Sequence, residues 1–491
     1  MVVERSKPTR LVARADDADR PAPLVVDLDG TLVATDLLIE SLFVLAKRKP
    51  LRLLMVPFWL AQGRARLKQH LAQEAMPDVP TLPYRRDLIE YLEAARHRGT
   101  PLVLATAADE RIAQAVAHHL RLFDAVFASD GIVNLKGERK RDRLIAEFGA
   151  HGFDYVGSGH ADRPVWASAS KAILVQRHAG PRAGPAGTAE IERVFEAPSA
   201  DPLVYVAALR PHHWLKNTLV FLPLAAAHRL SEVDLLVQAL LAFVAFGLCA
   251  SSTYLLNDLM DLPMDRRHPH KKDRALASGR LPLVHGVALI PVLLAAAIAI
   301  GLLLPRAFLG VLALYYVLTL SYSLRLKDMA ILDVLALAGL HALRVMAGCA
   351  AVSLPPSAWL IAFCVFLFFS LAMIKRYAEL VVMRTIEGAH AHARAYELED
   401  SELLAALGGA SGYLSVLVLA LYISSDATEN VFGRHELIWL VCVLLLYWIS
   451  YMWLMAHRGR MHDDPLVFAL RDKVSRVLVA LMAVIFLLAV P

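Results

Sequence analysis

Asn257-Asp258-Leu259-Met260-Asp261-Leu262-Pro263-Met264-Asp265 closes the apolar stretch 234–256, and its reading decides the fold. Spacings of three, four and seven put Asp258, Asp261 and Asp265 on one helical face, with the helix continuing to Pro263 and resuming after it. Carboxylates gathered near a membrane surface repel one another unless a cation joins them. Mg²⁺ suits them, because it takes a few carboxylates together with substrate phosphate oxygens. The basic run Arg266 to Arg274 follows directly, and its Lys271, Lys272 and Arg274 are candidates to meet phosphate. Carboxylates for a metal beside cations for phosphate make a pyrophosphate site. A solvated loop of mixed charge is the bland alternative, and neither the spacing nor the placement at a span end calls for it.

The stretch 234–256 is one of nine apolar segments after Arg210, at about 216–229, 234–256, 283–304, 307–323, 329–350, 357–378, 403–424, 435–456 and 473–490. Several have the roughly 20 residues that cross about 30 Å of hydrocarbon, and the first is the shortest. Basic residues collect in alternate loops: Arg266, Arg267, Lys271, Lys272, Arg274 and Arg280; Arg325 and Lys327; Arg384 and Arg394; Arg458, Arg460 and Arg471. The other loops hold little more than Arg229, Arg306 and Arg434. The basic loops are expected to face the cytoplasm, with the N-terminal domain on the same side and the C-terminus outside, a parity that nine spans satisfy.

The 491-residue length argues for more than one domain, and the 57% hydrophobic content with mean hydropathy +0.48 argues for a membrane protein carrying a soluble part. A disordered, collagenous or disulfide-scaffold chain is excluded. A formal net charge of +5 is too small to argue for nucleic acid. Cys249, Cys349, Cys364 and Cys442 all lie in apolar runs and read as membrane hydrophobes, not disulfides or metal ligands. The first 23 residues are charged and contain proline, so no signal peptide is expected.

Residues 1 to about 200 read as soluble. Leu24-Val25-Val26, Leu102-Val103-Leu104 and Asp154-Tyr155-Val156 are short strands, and 36–75 carries helical patterns, which together imply a parallel α/β sheet. A turn-rich connector, 179–187, leads to a seam near Ala200. The apolar stretch Leu51 to Leu60 is too short to span and is expected to be buried in a helical insertion, with a seat on the membrane surface as the alternative.

Within the spans, Asp333, His341 and Arg344 share a helix face, and Arg344 lies roughly 16 Å along the helix from Asp333 at about 1.5 Å per residue. A lipid-facing arginine there costs on the order of 3 kcal/mol, so a polar cavity or a buried ion pair inside the bundle is expected. His341 reads as a hydrogen-bonded interior histidine. Lys375, Arg376 and Glu379, and Asp463, Asp464, Arg471 and Asp472, read alone as snorkelling or solvated charge.

The Asn257-Asp258-x-x-Asp261-x-x-x-Asp265 motif and the nine-span layout resemble the UbiA superfamily of membrane prenyltransferases over about residues 205–491. Arg210-Pro211-His212-His213-Trp214-Leu215-Lys216-Asn217, Lys375-Arg376-Tyr377-Ala378-Glu379-Leu380 and Ala469-Leu470-Arg471-Asp472 resemble its decaprenyl-phosphate phosphoribosyltransferase branch. That resemblance implies transfer of 5-phosphoribose from phosphoribosyl pyrophosphate to a polyprenyl phosphate, with Mg²⁺ as cofactor. It implies Asp258 and Asp261 as catalytic residues, metal held by Asp258, Asp261, Asp265 and Asp333, and a second acidic region on Tyr322, Lys327 and Asp333. Substrate contacts are expected from Lys216, Asn217, Asn257, Lys271, Lys272, Arg274, Tyr322, Lys327, Arg344, Lys375 and Arg376. Ala275 departs from an Arg-Pro pair often found after the first motif, which alters the loop and removes no ligand.

Val25-Val26-Asp27-Leu28-Asp29-Gly30-Thr31-Leu32 resembles the first motif of the haloacid dehalogenase (HAD) superfamily, and the likeness spans about 22–178 with a helical cap near 36–80. It implies a Rossmann-like domain in which Asp27 is the nucleophile, Asp29 the acid/base, Thr106 the phosphate-binding hydroxyl and Lys140 the neutralising lysine, with Lys136 a rival. A carboxylate nucleophile forms an aspartyl phosphate while its neighbour protonates the leaving oxygen. The implied Mg²⁺ ligands are Asp27, Asp29 and Asp162. Ser158 stands where an aspartate normally helps hold the metal, and a hydroxyl is the weaker, neutral ligand. A weakened hydrolase, a phospho-ligand sensor and a structural partner all fit.

The expected organisation is thus a HAD-like domain at 22–178, a linker at 179–204 and an all-α UbiA-like bundle of about nine helices at 205–491. It sits in the cell inner membrane, with phosphoribosyl pyrophosphate, polyprenyl phosphate and the lipid bilayer as partners, no nucleic acid, and a homo-oligomer left open. The competing readings are a UbiA-type prenyltransferase with an aromatic or other small acceptor, which needs fewer cations around that acceptor, and a non-enzymatic transporter or lipid-binding membrane protein with a regulatory domain, of which a transporter would show internal repeats and midplane sites.

Overall fold

A computed structural model describes residues 21–176, 189–196, 201–269, 271–384, 395–425, 435–461 and 464–489. Residues 1–20, the connector 179–187, Arg394, Arg434 and Asp463 lie outside the described residues. The contacts divide the chain into two units, Met1–Leu209 with Tyr254–Ile290, and Arg210–Thr253 with Pro291–Pro491.

The first unit is built on a sheet of six parallel strands, β1 (Leu24–Val26), β2 (Leu102–Asp109), β3 (Ala125–Ser129), β4 (Asp154–Gly157), β5 (Lys171–Gln176) and β6 (Glu190–Glu196), in the order β3-β2-β1-β4-β5-β6. β1 is central. Val25 registers with Val103 on one side and Tyr155 on the other. Its side chains alternate between two cores, Leu24 and Val26 packing with Leu88, Leu92 and Val116, and Val25 with Leu144, Val165 and Trp166. Burial on both faces is why β1 reads as an unbroken apolar run, and each such side chain contributes roughly 1.5–3 kcal/mol. β6 falls where a linker was expected. It pairs with β5, so the α/β unit runs through Glu196.

The expected helical cap is α1 (Leu37–Arg48), α2 (Val56–Ala61) and α3 (Arg64–Glu74), with a 3₁₀ stretch, Pro50–Met55, after α1. Asp36 caps α1 by accepting from the Ile39 N–H at 3.1 Å. Only Trp59 of the 50–61 stretch is buried, stacked on His70, so the expectation of a buried insertion fails there. The segment Tyr254–Ile290 packs on this unit. At Gly279 an added Cβ would meet the Ala34 carbonyl at 2.5 Å, so only glycine permits the approach.

The chain is a multi-pass membrane protein. Among the described residues seven helices are long and apolar enough to cross a bilayer: Val233–Met260, Leu283–Gly301, Arg306–Leu324, Leu332–Ala351, Ala358–Arg384, Leu398–Ile423 and Glu436–His457. The other two expected spans are not among these seven, so the count of nine is not confirmed. The stretch taken as a first span is a 3₁₀ segment, Pro211–Phe221, and a short helix, Leu222–Ala226. The ninth is a 17-residue helix, Lys473–Ala489.

In the second unit Leu332–Ala351 is the most enclosed span, with 67% of its apolar window buried. The Pro211–Phe221 segment lies against it. At Gly348 a Cβ would meet the Val220 carbonyl oxygen at 2.1 Å, so the lack of a side chain sets this closeness. Small residues act likewise between the next spans, where Gly412 sits against Ser370 and Ile449.

Candidate functional site

Three groups of polar side chains stand out, two in the first unit and one in the second. The first lies at the carboxyl ends of β1 and β4, the point where the strand order reverses and where open parallel sheets hold ligands. Asp27 directly follows β1. Its Oδ1 lies 2.7 Å from Lys140 Nζ, and its Oδ2 is reached by Thr31 Oγ1 at 3.4 Å. Burial works against the Lys140 charge, but Asp27 and Asp162 outweigh it and hold the ammonium above the usual lysine range. Lys136 is exposed, so Lys140 is the lysine brought to Asp27.

Asp29 accepts from the Leu37 N–H at 3.0 Å. Burial, and then the charge of Asp36, push its carboxyl up to about 7. It lines a cleft with Leu37, Leu38, Leu71, Ile112 and Lys68. Lys68 donates to the Ala107 carbonyl at 2.6 Å, and burial holds it below the ordinary lysine range. Sequence reasoning missed Lys68, because one lysine in a basic helix carries no signal until α3 is folded over β2. Thr106 is buried, and its hydroxyl accepts from the Ala108 N–H at 3.0 Å.

A metal fits this pocket poorly. Asp162 Oδ1 accepts from Tyr155 at 2.7 Å, and its Oδ2 accepts from the Ser158 and Gly159 N–H groups at 3.1 and 3.0 Å. That carboxylate is spent on holding its own loop, which corrects its expected place as a ligand. Ser158 Oγ, where a carboxylate would complete the set, accepts instead from Thr31 at 2.9 Å.

The second group is the acidic helix end. The helix Val233–Met260 stops one residue before Asp261, and Leu262–Arg267 resumes it. The Asp261 N–H still donates to Asn257 O and the Asp265 N–H to Asp261 O, both at 2.9 Å, so the helical spacing survives Pro263. Asp258, Asp261 and Asp265 are all buried, and Asn257 is half-buried. Arg274 Nη1 bridges Asp258 at 3.1 Å and Asp265 at 2.7 Å, and Lys47 Nζ meets Asp261 at 2.6 Å. Lys271 and Lys272 are exposed on the turn before Arg274. Arg266, the first residue of the basic run, pairs with buried Glu40 at 2.6 Å.

The donor set here fits Mg²⁺. Its oxygens are hard, negative and already bridged by cations. Among the described residues no three His, Cys, Asp or Glu side chains are placed to hold a metal ion together. A pyrophosphate-bound Mg²⁺ asks for less, one or two carboxylates with phosphate oxygens completing the shell.

The third group belongs to the second unit. Arg344 is 3% exposed, and its three bonds go to neutral acceptors, Asn217 Oδ1 at 2.9 Å, Tyr315 Oη at 3.0 Å and the Leu340 carbonyl at 2.6 Å. Because Asn217 turns its oxygen to Arg344, its amide nitrogen is left buried without a partner among the described residues. Next in the chain, Lys216 shares the carboxylate of Asp464 with Lys375, at 2.7 and 3.4 Å. Among the described residues three cations thus stand beside one carboxylate, an arrangement that has room in its charge balance for an anion.

Asp333 is not Arg344's partner. Its Oδ2 takes Arg376 Nε at 2.5 Å and its Oδ1 takes Tyr396 Oη at 2.5 Å, with Asp333 and Arg376 both fully enclosed. Arg376 donates further to Tyr322 at 3.0 Å and Glu379 at 2.7 Å. Asp333 and Arg376, expected at the metal and the substrate, here form a neutralised pair that joins two spans. Lys327 lies on the Leu326–Asp328 turn before Asp333. His341 Nδ1 lies 2.7 Å from the Leu337 carbonyl, the interior role expected of it.

The model of the UbiA prenyltransferase family matches residues 217–471. Over 96% of its length the chain is 37% identical to an uncharacterized protein of Sinorhizobium fredii, spanning 92% of that protein. A nodulation protein, NoeC, of Azorhizobium caulinodans is 36% identical over 56% of this chain and 89% of its own. A decaprenyl-phosphate phosphoribosyltransferase of Mycolicibacterium smegmatis is 30% identical over 56% of this chain and 88% of its own. The chain belongs to the UbiA prenyltransferase family, and that membership makes it a transferase.

Proposed function

We propose that this UbiA-family membrane protein transfers 5-phosphoribose from phosphoribosyl pyrophosphate to a polyprenyl phosphate. The observation that carries the reading is the cationic group of Arg344, Lys216 and Lys375 with the unpaired Asn217 amide, a site for a second anion besides the one the carboxylate motif serves. An aromatic acceptor would leave those charges unused. The similarity to decaprenyl-phosphate phosphoribosyltransferases points the same way.

Asp258, Asp261 and Asp265 would hold Mg²⁺, which when bound neutralises charge on the departing pyrophosphate. Arg274, released from Asp258 and Asp265, takes pyrophosphate oxygens. The bond from the anomeric carbon to pyrophosphate breaks, and an oxygen of the acceptor phosphate forms the new bond there. The acceptor is already an anion, so no general base is needed. Arg344, Lys216, Lys375 and Asn217 orient it, and orientation with charge stabilisation carries the rate.

The α/β unit, on its HAD-like residues, then removes the 5-phosphate. Asp27 attacks phosphorus and becomes an aspartyl phosphate, Asp29 gives its proton to the leaving oxygen, and Lys140 balances the charge; a water, deprotonated by Asp29, then cleaves the aspartyl phosphate and releases inorganic phosphate. Both activities face the cytoplasm at the inner membrane.

The test uses purified protein, Mg²⁺, polyprenyl phosphate and phosphoribosyl pyrophosphate labelled with carbon-14 in the ribose and phosphorus-32 at the 5-position. Carbon-14 in the lipid extract establishes the transfer. Its absence from folded protein sinks the donor assignment and promotes an aromatic acceptor. Loss of phosphorus-32 in wild type but equally in Asp27→Asn defeats the phosphatase half.

A further inference from the structure

The cap of the α/β unit carries an apolar surface that its own fold does not cover. Leu51 is 82% exposed, Leu54 78% and Phe58 59%, and Leu53, Met55 and Leu60 beside them are also open. They fall within Pro50–Ala61, a helical stretch too short to cross a bilayer. Soluble surfaces rarely gather six large hydrophobic side chains in so short a stretch without a use for them.

The surrounding charge is one-sided. From Ser41 to Gln73 there are Lys47, Arg48, Lys49, Arg52, Arg64, Arg66 and Lys68, and not one carboxylate. Glu74 answers Lys49 at 2.6 Å and reaches Arg52 only at 3.9 Å. An exposed apolar strip within a purely basic stretch is the composition of an interfacial helix that lies on anionic lipid.

A contact within the same unit gives the level. Lys47 Nζ lies 2.6 Å from Asp261 and 3.7 Å from Met264 Sδ. Asp261 directly follows the span Val233–Met260, whose polar end begins at Asn257, so this contact lies at the membrane-surface end of a span. Arg266, five residues on, holds Glu40 of the same cap helix in a bidentate pair at 2.6 and 3.1 Å. The apolar stretch begins three residues after Lys47, and α1 is thus tied at two points to a span end.

We propose that Pro50–Ala61 is a membrane-interface anchor whose occupant is the anionic leaflet on the side of the basic loops. Leu51, Leu54 and Phe58 enter the acyl boundary while Arg48, Arg52, Arg64 and Arg66 meet headgroup phosphates. The anchor holds α1 and α3, which line the Asp29 cleft, at the depth where the phosphate of a lipid-linked molecule lies. It rests on the membrane character of the chain and not on either catalytic assignment.

The test uses the full chain in nanodiscs of equal parts phosphatidylcholine and phosphatidylglycerol. An environment-sensitive fluorophore is placed on Leu54→Cys and, separately, on Phe58→Cys, with Glu93→Cys on the exposed side of its helix as reference. The unaltered chain, whose four cysteines are buried, gives the labelling background. The expected result is blue-shifted emission at 54 and 58 that loses most of its intensity when the lipids carry shallow nitroxides, with no loss at 93. Replacing phosphatidylglycerol by phosphatidylcholine is expected to weaken that quenching. Emission at 54 and 58 like that at 93 overturns the proposal. So does a blue shift that nitroxide lipids do not quench, since protein, and not lipid, would then cover the strip. Elution as folded protein qualifies each labelled chain, and Leu51→Cys replaces a site that fails.

Discussion

Arg344→Met separates the two things a buried arginine can do. In the folded chain Arg344 donates to Asn217, Tyr315 and the Leu340 carbonyl, all neutral. Removing it leaves two side-chain acceptors poorer, at about 1–3 kcal/mol each at most. It also removes a guanidinium whose enclosure among apolar spans costs about 2.5–3.5 kcal/mol. The two effects nearly cancel, so the thermal midpoint followed by size exclusion should move little. A charge-assisted hydrogen bond to substrate phosphate is worth about 1.5–3 kcal/mol, so its loss predicts a roughly 10- to 150-fold rise in KM for polyprenyl phosphate. Arg344→Lys keeps the charge but not the planar fork and should recover part of the loss. The assay is carbon-14 transfer into lipid at varied acceptor. An unchanged KM for both substrates in a folded variant refutes the reasoning, as does collapse of the fold, which would make Arg344 structural.

Asp261→Asn should lower transfer by about 10²-fold or more, the scale of electrostatic transition-state stabilisation, and raise the Mg²⁺ needed for half-maximal rate. An unchanged Mg²⁺ titration would remove Asp261 from the metal. Asp29 must be protonated to act as an acid, and its carboxyl sits at about 7. Phosphatase turnover should therefore fall roughly tenfold per unit above about pH 7, and a flat profile into alkali would reassign the acid. Ser158→Asp should raise Mg²⁺-dependent hydrolysis of a small phosphomonoester, whereas Ser158→Ala should change little, and equal rates in all three chains would show that the position is idle. Gly348→Ala pushes a Cβ to 2.1 Å from a carbonyl and should destabilise by about 1–3 kcal/mol or more, while Gly409→Ala, with nothing within 4 Å, should be neutral or stabilising. Equal thermal midpoints for the two would contradict the close packing of Pro211–Phe221 on its span.

The acidic motif was legible because helical spacing is local. Asp258, Asp261 and Asp265 keep one face whatever surrounds them, and the Asp261 and Asp265 amides carry the helix past Pro263. β1 was equally plain, a buried apolar run ending in Asp27. β6 was not, since four of its seven residues are charged and only pairing with β5 makes it a strand. The first expected span shows a related effect. Hydropathy counts apolar residues and not helix type, and this segment folds as a 3₁₀ stretch and a short helix packed against Gly348.

What the sequence determined by itself was therefore class and chemistry: a membrane bundle, a parallel α/β sheet, carboxylates at a span end and a carboxylate pair after the first strand. Each rests on periodicity or spacing within a dozen residues. Tertiary structure alone decided who pairs with whom. Arg376, and not Arg344, neutralises Asp333; Asp464 joins Lys216 to Lys375; Asp162 is consumed by its own loop; and Lys47 reaches Asp261 across 214 residues of chain. A charge shows its type in the sequence, but its partner depends on which helices pack. An arginine left with neutral acceptors can be recognised only after every carboxylate near it has been claimed.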